Sequence, residues 1–138
     1  MNKVLLPIDL AHDEATNRIL EQAESLSQRA EATFILLHVM DRIPALVEAQ
    51  VPADLLRKHE ESACEAILER ARMYGLDQRS SVIVRRGEAH REIVQTAIDE
   101  GVDLIVIASH QPSAVDIVIG STAASVVRNA HCSNMVLR

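Results

Sequence analysis

A chain of 138 residues with 48% apolar and 25% charged residues has the length and balance of one globular domain with a real core. A formal net charge of −6 disfavours binding to a nucleic-acid backbone, and with one Phe, one Tyr and no Trp the chain lacks stacking platforms for single-stranded bases. The N-terminal apolar run is broken by Pro7 and Asp9, too early for a signal-peptide core. No other run approaches a membrane span, so a cytoplasmic location is expected. Cys64 and Cys132 are too few for a disulfide framework and lack metal-ligand spacing; they read as reduced thiols packed in the interior.

Lys3–Pro7 (KVLLP) reads as a first strand, ended by Asp9. The segment 13–31 places Ala15, Ile19, Ala23, Leu26 and Ala30 on one helical face, with Asp13 and Glu14 where the helix dipole favours acids. Thr33–Val39 is a continuous apolar strand. The stretch 40–52 carries Pro44 and Pro52 and reads as an irregular loop. A long helix, 52–74, follows, with Leu56, Ala63, Ile67 and Ala71 as its buried stripe and Gly75 as its left-handed terminator. Then come a strand at 81–85, a helix at 89–100, a strand at 104–108, a helix at 119–130 and a strand at 134–137. The glycines at 75, 87, 101 and 120 all fall at element boundaries.

This strict alternation predicts an α/β fold, a doubly wound five-stranded parallel sheet of order 3-2-1-4-5 with four helices, in a single domain spanning residues 1–138. Leu104–Ala108, unbroken and aliphatic, suits a strand buried on both faces. It runs into a polar loop and then into Gly120-Ser121-Thr122 at a helix head, where backbone N–H groups lack acceptors within the helix. Such an arrangement holds an anion, and the phosphates of a nucleotide are the expected one. In doubly wound sheets ligands sit at the carboxyl ends of the strands where the order reverses. The Pro7-Ile8-Asp9 turn and residues 109–111 should meet there, facing Gly120 and Ser121.

Three families with this skeleton fail on their loops. No GxxxxGK[ST] follows the first strand, the first loop contains no glycine for a dinucleotide fingerprint, and the third strand ends in Val84-Arg85-Arg86-Gly87, not in an acceptor aspartate. A pattern that does match is carried by KVLLPIDL at the start, LLHV on strand two, GVDLIVIASH on strand four and GSTAASVVRNAHCSNMVLR to the end. In these segments, over essentially its whole length, the chain resembles the universal stress protein family, an adenine nucleotide alpha hydrolase-like fold. The run Ser109-His110-Gln111-Pro112 is most similar to a subgroup with a Ser-His-Arg-Pro loop.

The resemblance implies a cytoplasmic homodimer that in many members holds ATP, alone or with Mg²⁺. Carried over, Val39 and the Pro7, Ile8, Asp9 turn would surround adenine and ribose. Asp9 would accept from ribose hydroxyls or stand near Mg²⁺. Ala108, His110 and Gln111 would line the triphosphate loop, and Gly120, Ser121 and Thr122 would offer amides and hydroxyls to the phosphates. One departure weighs against this. ATP-binding members commonly read Gly-x-x-Gly where this chain has Ala108-Ser109-His110-Gln111, and glycine lets the backbone approach a phosphate closely. A nucleotide-independent dimeric scaffold that docks to other stress proteins therefore stays open beside the ATP reading. Catalysis beyond slow ATP hydrolysis finds no support, because no general base or cationic clamp is evident. The short apolar strand 134–137 at the sheet's end invites antiparallel pairing with a second copy. No metal site and no nucleic-acid partner are expected.

Overall fold

The computed structural model describes residues 2–109 and 119–138. In chain order these form β1 (Lys3–Pro7), α1 (Asp13–Arg29), β2 (Thr33–Met40), α2 (Ala45–Glu48), α3 (Ala53–Met73), a 3₁₀ turn (Asp77–Arg79), β3 (Ser80–Arg86), α4 (Ala89–Asp99), β4 (Leu104–Ala108), α5 (Ser121–Asn129) and β5 (Ser133–Leu137). The sheet is parallel throughout, with order β3-β2-β1-β4-β5. Among the described residues helices therefore number five instead of four. The extra one, α2, lies in the stretch read as a loop, and its four residues are too few to display a helical period.

Alternation along each strand divides the core into two layers. Val4, Leu6, Leu36, Leu104 and Val106 pack under α1 and α3, against Ile19, Leu20, Ala23, Ile67 and Ala71. Leu5, Ile35, Leu37, Ile105 and Ile107 face α4 and α5, against Ile93, Ala97, Ala123 and Val126. β4 is buried at every position because both layers cover it. Each such aliphatic side chain removed from water contributes about 1.5–3 kcal/mol, so a polar residue within β4 would break the fold.

Helix ends follow the local chemistry. Gly75 has φ +69, and the bonds Gly75 N–H to Arg72 O (3.0 Å) and Leu76 N–H to Ala71 O (3.0 Å) close α3 in a Schellman motif. A side chain there would be forced into the left-handed region, which glycine enters without penalty. Arg70 of α3 donates to Asp13 (2.9 Å) and to Asn17 (2.6 Å), tying α3 to the first turns of α1. Cys64 and Cys132 are free but half-buried, not interior as expected from sequence. Burial, reinforced by neighbouring carboxylates, pushes both thiols up from the ordinary cysteine value. Both are thereby poor nucleophiles. Among the described residues no helix is long and apolar enough to cross a membrane.

Candidate functional site

The strand order reverses between β1 and β4, which pair as Val4 with Leu104 and Leu5 with Ile105. Beyond their carboxyl ends opens a crevice of about 730 Å³, a size suited to a small-molecule ligand. Pro7, Ile8, Leu37, Val39, Ile107 and Ala108 form its apolar floor. Asp9, His38, Asp41, Arg42, His59, Arg86 and Thr122 supply polar groups at its margins. Neither Phe34, in the core, nor Tyr74, packed against it, is among the lining side chains, so the walls are aliphatic.

On the β1 side the chain turns sharply at Asp9. Its Oδ1 accepts the Ala11 amide at 2.9 Å and its Oδ2 lies 2.7 Å from His12 Nδ1. The Asp9 carbonyl accepts the Thr16 hydroxyl at 2.9 Å and the His12 amide at 3.0 Å. Asp9 thus shapes the start of α1 while its half-exposed carboxylate borders the crevice, a short acidic side chain bonding its own downstream backbone. The Ile8 amide donates to Leu37 O at 2.8 Å, and His38 Nδ1 lies 3.1 Å from Ile8 O, which fixes this turn against β2.

On the far side, Arg86 ends β3 and reaches over to the segment after β2. Its Nε donates to Glu60 of α3 at 3.2 Å and its Nη1 to Asp41 O at 3.3 Å. Its buried Nη2 has no acceptor among the described residues. This margin was missed from the sequence. Asp41 and Arg42 after β2, His59 in α3 and Arg86 in β3 come from three separate parts of the chain, and no local pattern marks them.

On the β4 side the strand ends at Ala108, and Ser109 is almost fully buried at 8% exposure. Its amide donates to Leu137 O at 2.9 Å, its hydroxyl accepts the Gly120 amide at 2.9 Å, and its carbonyl accepts Arg18 Nη2 at 3.1 Å. Gly120 is the residue capping α5, with φ −59 and ψ 153, and no side chain caps that helix from within it. Ser121 and Thr122 are both inside its first turn and do not cap it. The amides of Ser121, Thr122 and Ala123 have no acceptor within the helix, and the helix dipole adds partial positive charge there.

Of the residues named from the sequence, Pro7, Ile8, Asp9, Val39, Ala108 and Thr122 line the one crevice. Gly120 and Ser121 stand at the head of α5, and the Gly120 amide is already engaged by Ser109. His110 and Gln111 lie outside the described residues. No cluster of metal-ligating side chains is found among the described residues.

A sequence profile described as the Universal stress protein family matches residues 1–138. Universal stress protein G of Shigella flexneri is 30% identical over 139 residues, covering 98% of this chain and 97% of the relative. Among solved structures, universal stress protein UspA from Lactobacillus plantarum is 25% identical, with a TM-score of 0.76 over 99% of this chain and 97% of that one. Two more distant neighbours show the fold alone. A universal stress protein in complex with cAMP is 16% identical, with a TM-score of 0.75 over 99% of this chain and 97% of that one. One from Archaeoglobus fulgidus in complex with dAMP is also 16% identical, with a TM-score of 0.69 over 100% and 98%. Matching along its whole length in profile, in sequence and in fold, the chain belongs to the universal stress protein family.

Proposed function

We propose that this universal stress protein is a nucleotide-binding regulatory protein, a single domain that holds ATP, alone or with Mg²⁺, in the crevice at the β1/β4 switch. The observation that carries this reading is one cavity that joins an aliphatic floor to the head of α5, whose first amides have no acceptor within the helix. A flat, weakly polar base suits the floor, and a polyphosphate suits the helix end. In this reading Pro7, Ile8 and Val39 enclose adenine, Asp9 accepts from ribose hydroxyls, and Ala108, Ser121 and Thr122 surround the phosphates. Gly120 acts through its backbone position, and His110 and Gln111 join from the adjoining segment. The adenine nucleotides bound by two structural neighbours support the ligand class. The Ser109-His110-Gln111-Pro112 run supports kinship with the Ser-His-Arg-Pro subgroup.

The fit is good for a nucleotide and tighter than a glycine loop would give. Ala108 is 2% exposed and lines the crevice, so its methyl group narrows the approach to a phosphate. Bound ATP would supply negative charge and a rigid bridge across the crevice. The chain's own residues orient it and hold the ends of β1, β2 and β4 around it. We further propose a cytoplasmic homodimer paired through β5. This strand lies at the sheet edge with β4 on one side, and two copies related by a two-fold axis complete it antiparallel.

Isothermal titration of nucleotide-free protein with Mg·ATP tests the reading, with mass spectrometry of small molecules released from freshly purified protein as a second readout. Saturable heat or a co-purified adenine nucleotide supports it; no heat at millimolar ATP and no released nucleotide end it. A second reading, a nucleotide-independent dimeric scaffold, is favoured by the engaged Gly120 amide and by Ala108 at the end of β4, where a glycine would leave more room for a phosphate. The same experiment separates the two.

A further inference from the structure

Ser109 is not among the residues lining the crevice, yet its amide, carbonyl and hydroxyl are all engaged. Its amide extends the β4–β5 ladder to Leu137, its carbonyl is held by Arg18 of α1, and its hydroxyl takes the Gly120 amide. That last bond joins residues eleven apart in sequence and fastens together the two ends of the segment between β4 and α5. At 8% exposure it is shielded from competing water. Gly120 has no side chain of its own to bond, and no side chain of α5 caps its first turn; among the described residues the side-chain hydrogen bond at this helix head comes from Ser109, beside the packing of Ala123 and Val126 in the core.

We propose that Ser109 is the positioning residue for the phosphate end of the crevice, acting through Gly120. The proposal rests on the nucleotide reading above. Closing a segment of this length opposes chain entropy by an amount that grows slowly with length. A shielded hydrogen bond at its base offsets part of that cost in the free protein, before any ligand arrives. With Gly120 held at φ −59 and ψ 153, the Ser121 and Thr122 amides already point out of the helix end. A phosphate then meets donors in place. Arg18 secures the same residue from the opposite layer. Its Nη2 donates to Ser109 O, and its Nε is buried without an acceptor among the described residues.

The test compares the natural chain with Ser109→Ala, Ser109→Thr and Ser109→Cys by titration with Mg·ATP and with adenosine, alongside amide hydrogen exchange at Gly120. The alanine variant should weaken ATP binding about tenfold, the loss of roughly one hydrogen bond to a charged group. It should leave adenosine affinity unchanged and speed exchange at Gly120. Threonine, which keeps the hydroxyl, should restore ATP affinity. Cysteine, close to serine in shape and a weak acceptor, should resemble alanine and serves where alanine folds poorly. ATP affinity in Ser109→Ala equal to that of the natural chain overturns the proposal, as does an equal loss for ATP and adenosine. A natural chain that binds no ATP overturns the nucleotide reading itself, a result distinct from either.

Discussion

Lys3 and Asp103 exchange two hydrogen bonds. The Lys3 amide donates to Asp103 Oδ2 at 2.9 Å, and the Asp103 amide donates to Lys3 O at 2.9 Å. The Asn2 amide adds a further bond to the same carboxylate oxygen at 2.9 Å. The pairing joins the start of β1 to the start of β4, a hundred residues apart in sequence, and so sets the register at the base of the switch point. The backbone donors, Lys3 first and Asn2 second, hold the Asp103 carboxyl below the ordinary aspartate value. A carboxyl with a depressed native pKa stabilises the fold fully above its unfolded pKa and loses that contribution as pH falls through the native one. The stability gap between the natural chain and Asp103→Asn should therefore be present at neutral pH and shrink in acid, below about pH 4. Urea midpoints measured across pH check this; a gap of constant size refutes it.

Gly87 ends β3 with φ +152, a conformation that L side chains rarely adopt, and its amide closes the ladder on Met40 O at 2.9 Å. A Cβ there would also stand 2.7 Å from Glu92 Oε1. The far end of Glu92 can swing aside, so the backbone carries the cost. Gly87→Ala should destabilise by about 1–3 kcal/mol. Adding Glu92→Ala should recover little of it. Full recovery in the double variant would move the cause to the side-chain clash.

Ser121 occupies the first position of α5, after a Gly120 already in the extended backbone that precedes proline comfortably. Ser121→Pro should keep the helix while deleting one amide from its head. If phosphates rest on those amides, ATP affinity should fall by about tenfold or more, from the 1.5–3 kcal/mol typical of a hydrogen bond to a charged group. Ser121→Ala, which keeps the amide, should lose less. Calorimetric titration of both variants decides; equal affinities would place the phosphates elsewhere.

Deleting the last five residues removes most of β5 from the sheet edge. If the proposed pairing holds, the full chain should elute as a dimer and the shortened chain as monomer or aggregate. A dimer of unchanged size on the column would put the interface on another surface.

The sheet was legible because its signals are local. Leu104–Ala108 announces a doubly covered strand by having no polar residue, and Gly75 and Gly101 stop their helices with φ +69 and +63 as that residue type permits. Pro7 and Asp9 could be placed at the crevice because strand order alone brings strand ends together, while Val39 and Ala108 were implied by the family resemblance. The rest needed tertiary structure. His59 reaches the crevice from the middle of a charged helix face, and Arg86 reads as one more basic residue at a strand end. That the Ser109 hydroxyl accepts the amide of Gly120, eleven residues on, is invisible to any rule about neighbours, since the usual cap lies within the turn it serves. The four residues Ala45–Glu48 form a helix too short to show its period.

The aliphatic walls of the crevice have an optical consequence. With one tyrosine and no tryptophan in the entire chain, the protein is almost dark in the near ultraviolet. A purine lodged between valine and isoleucine would dominate the absorption spectrum of the complex. A fluorescent base analogue there would keep its emission, with no indole or phenol ring stacked on it to quench.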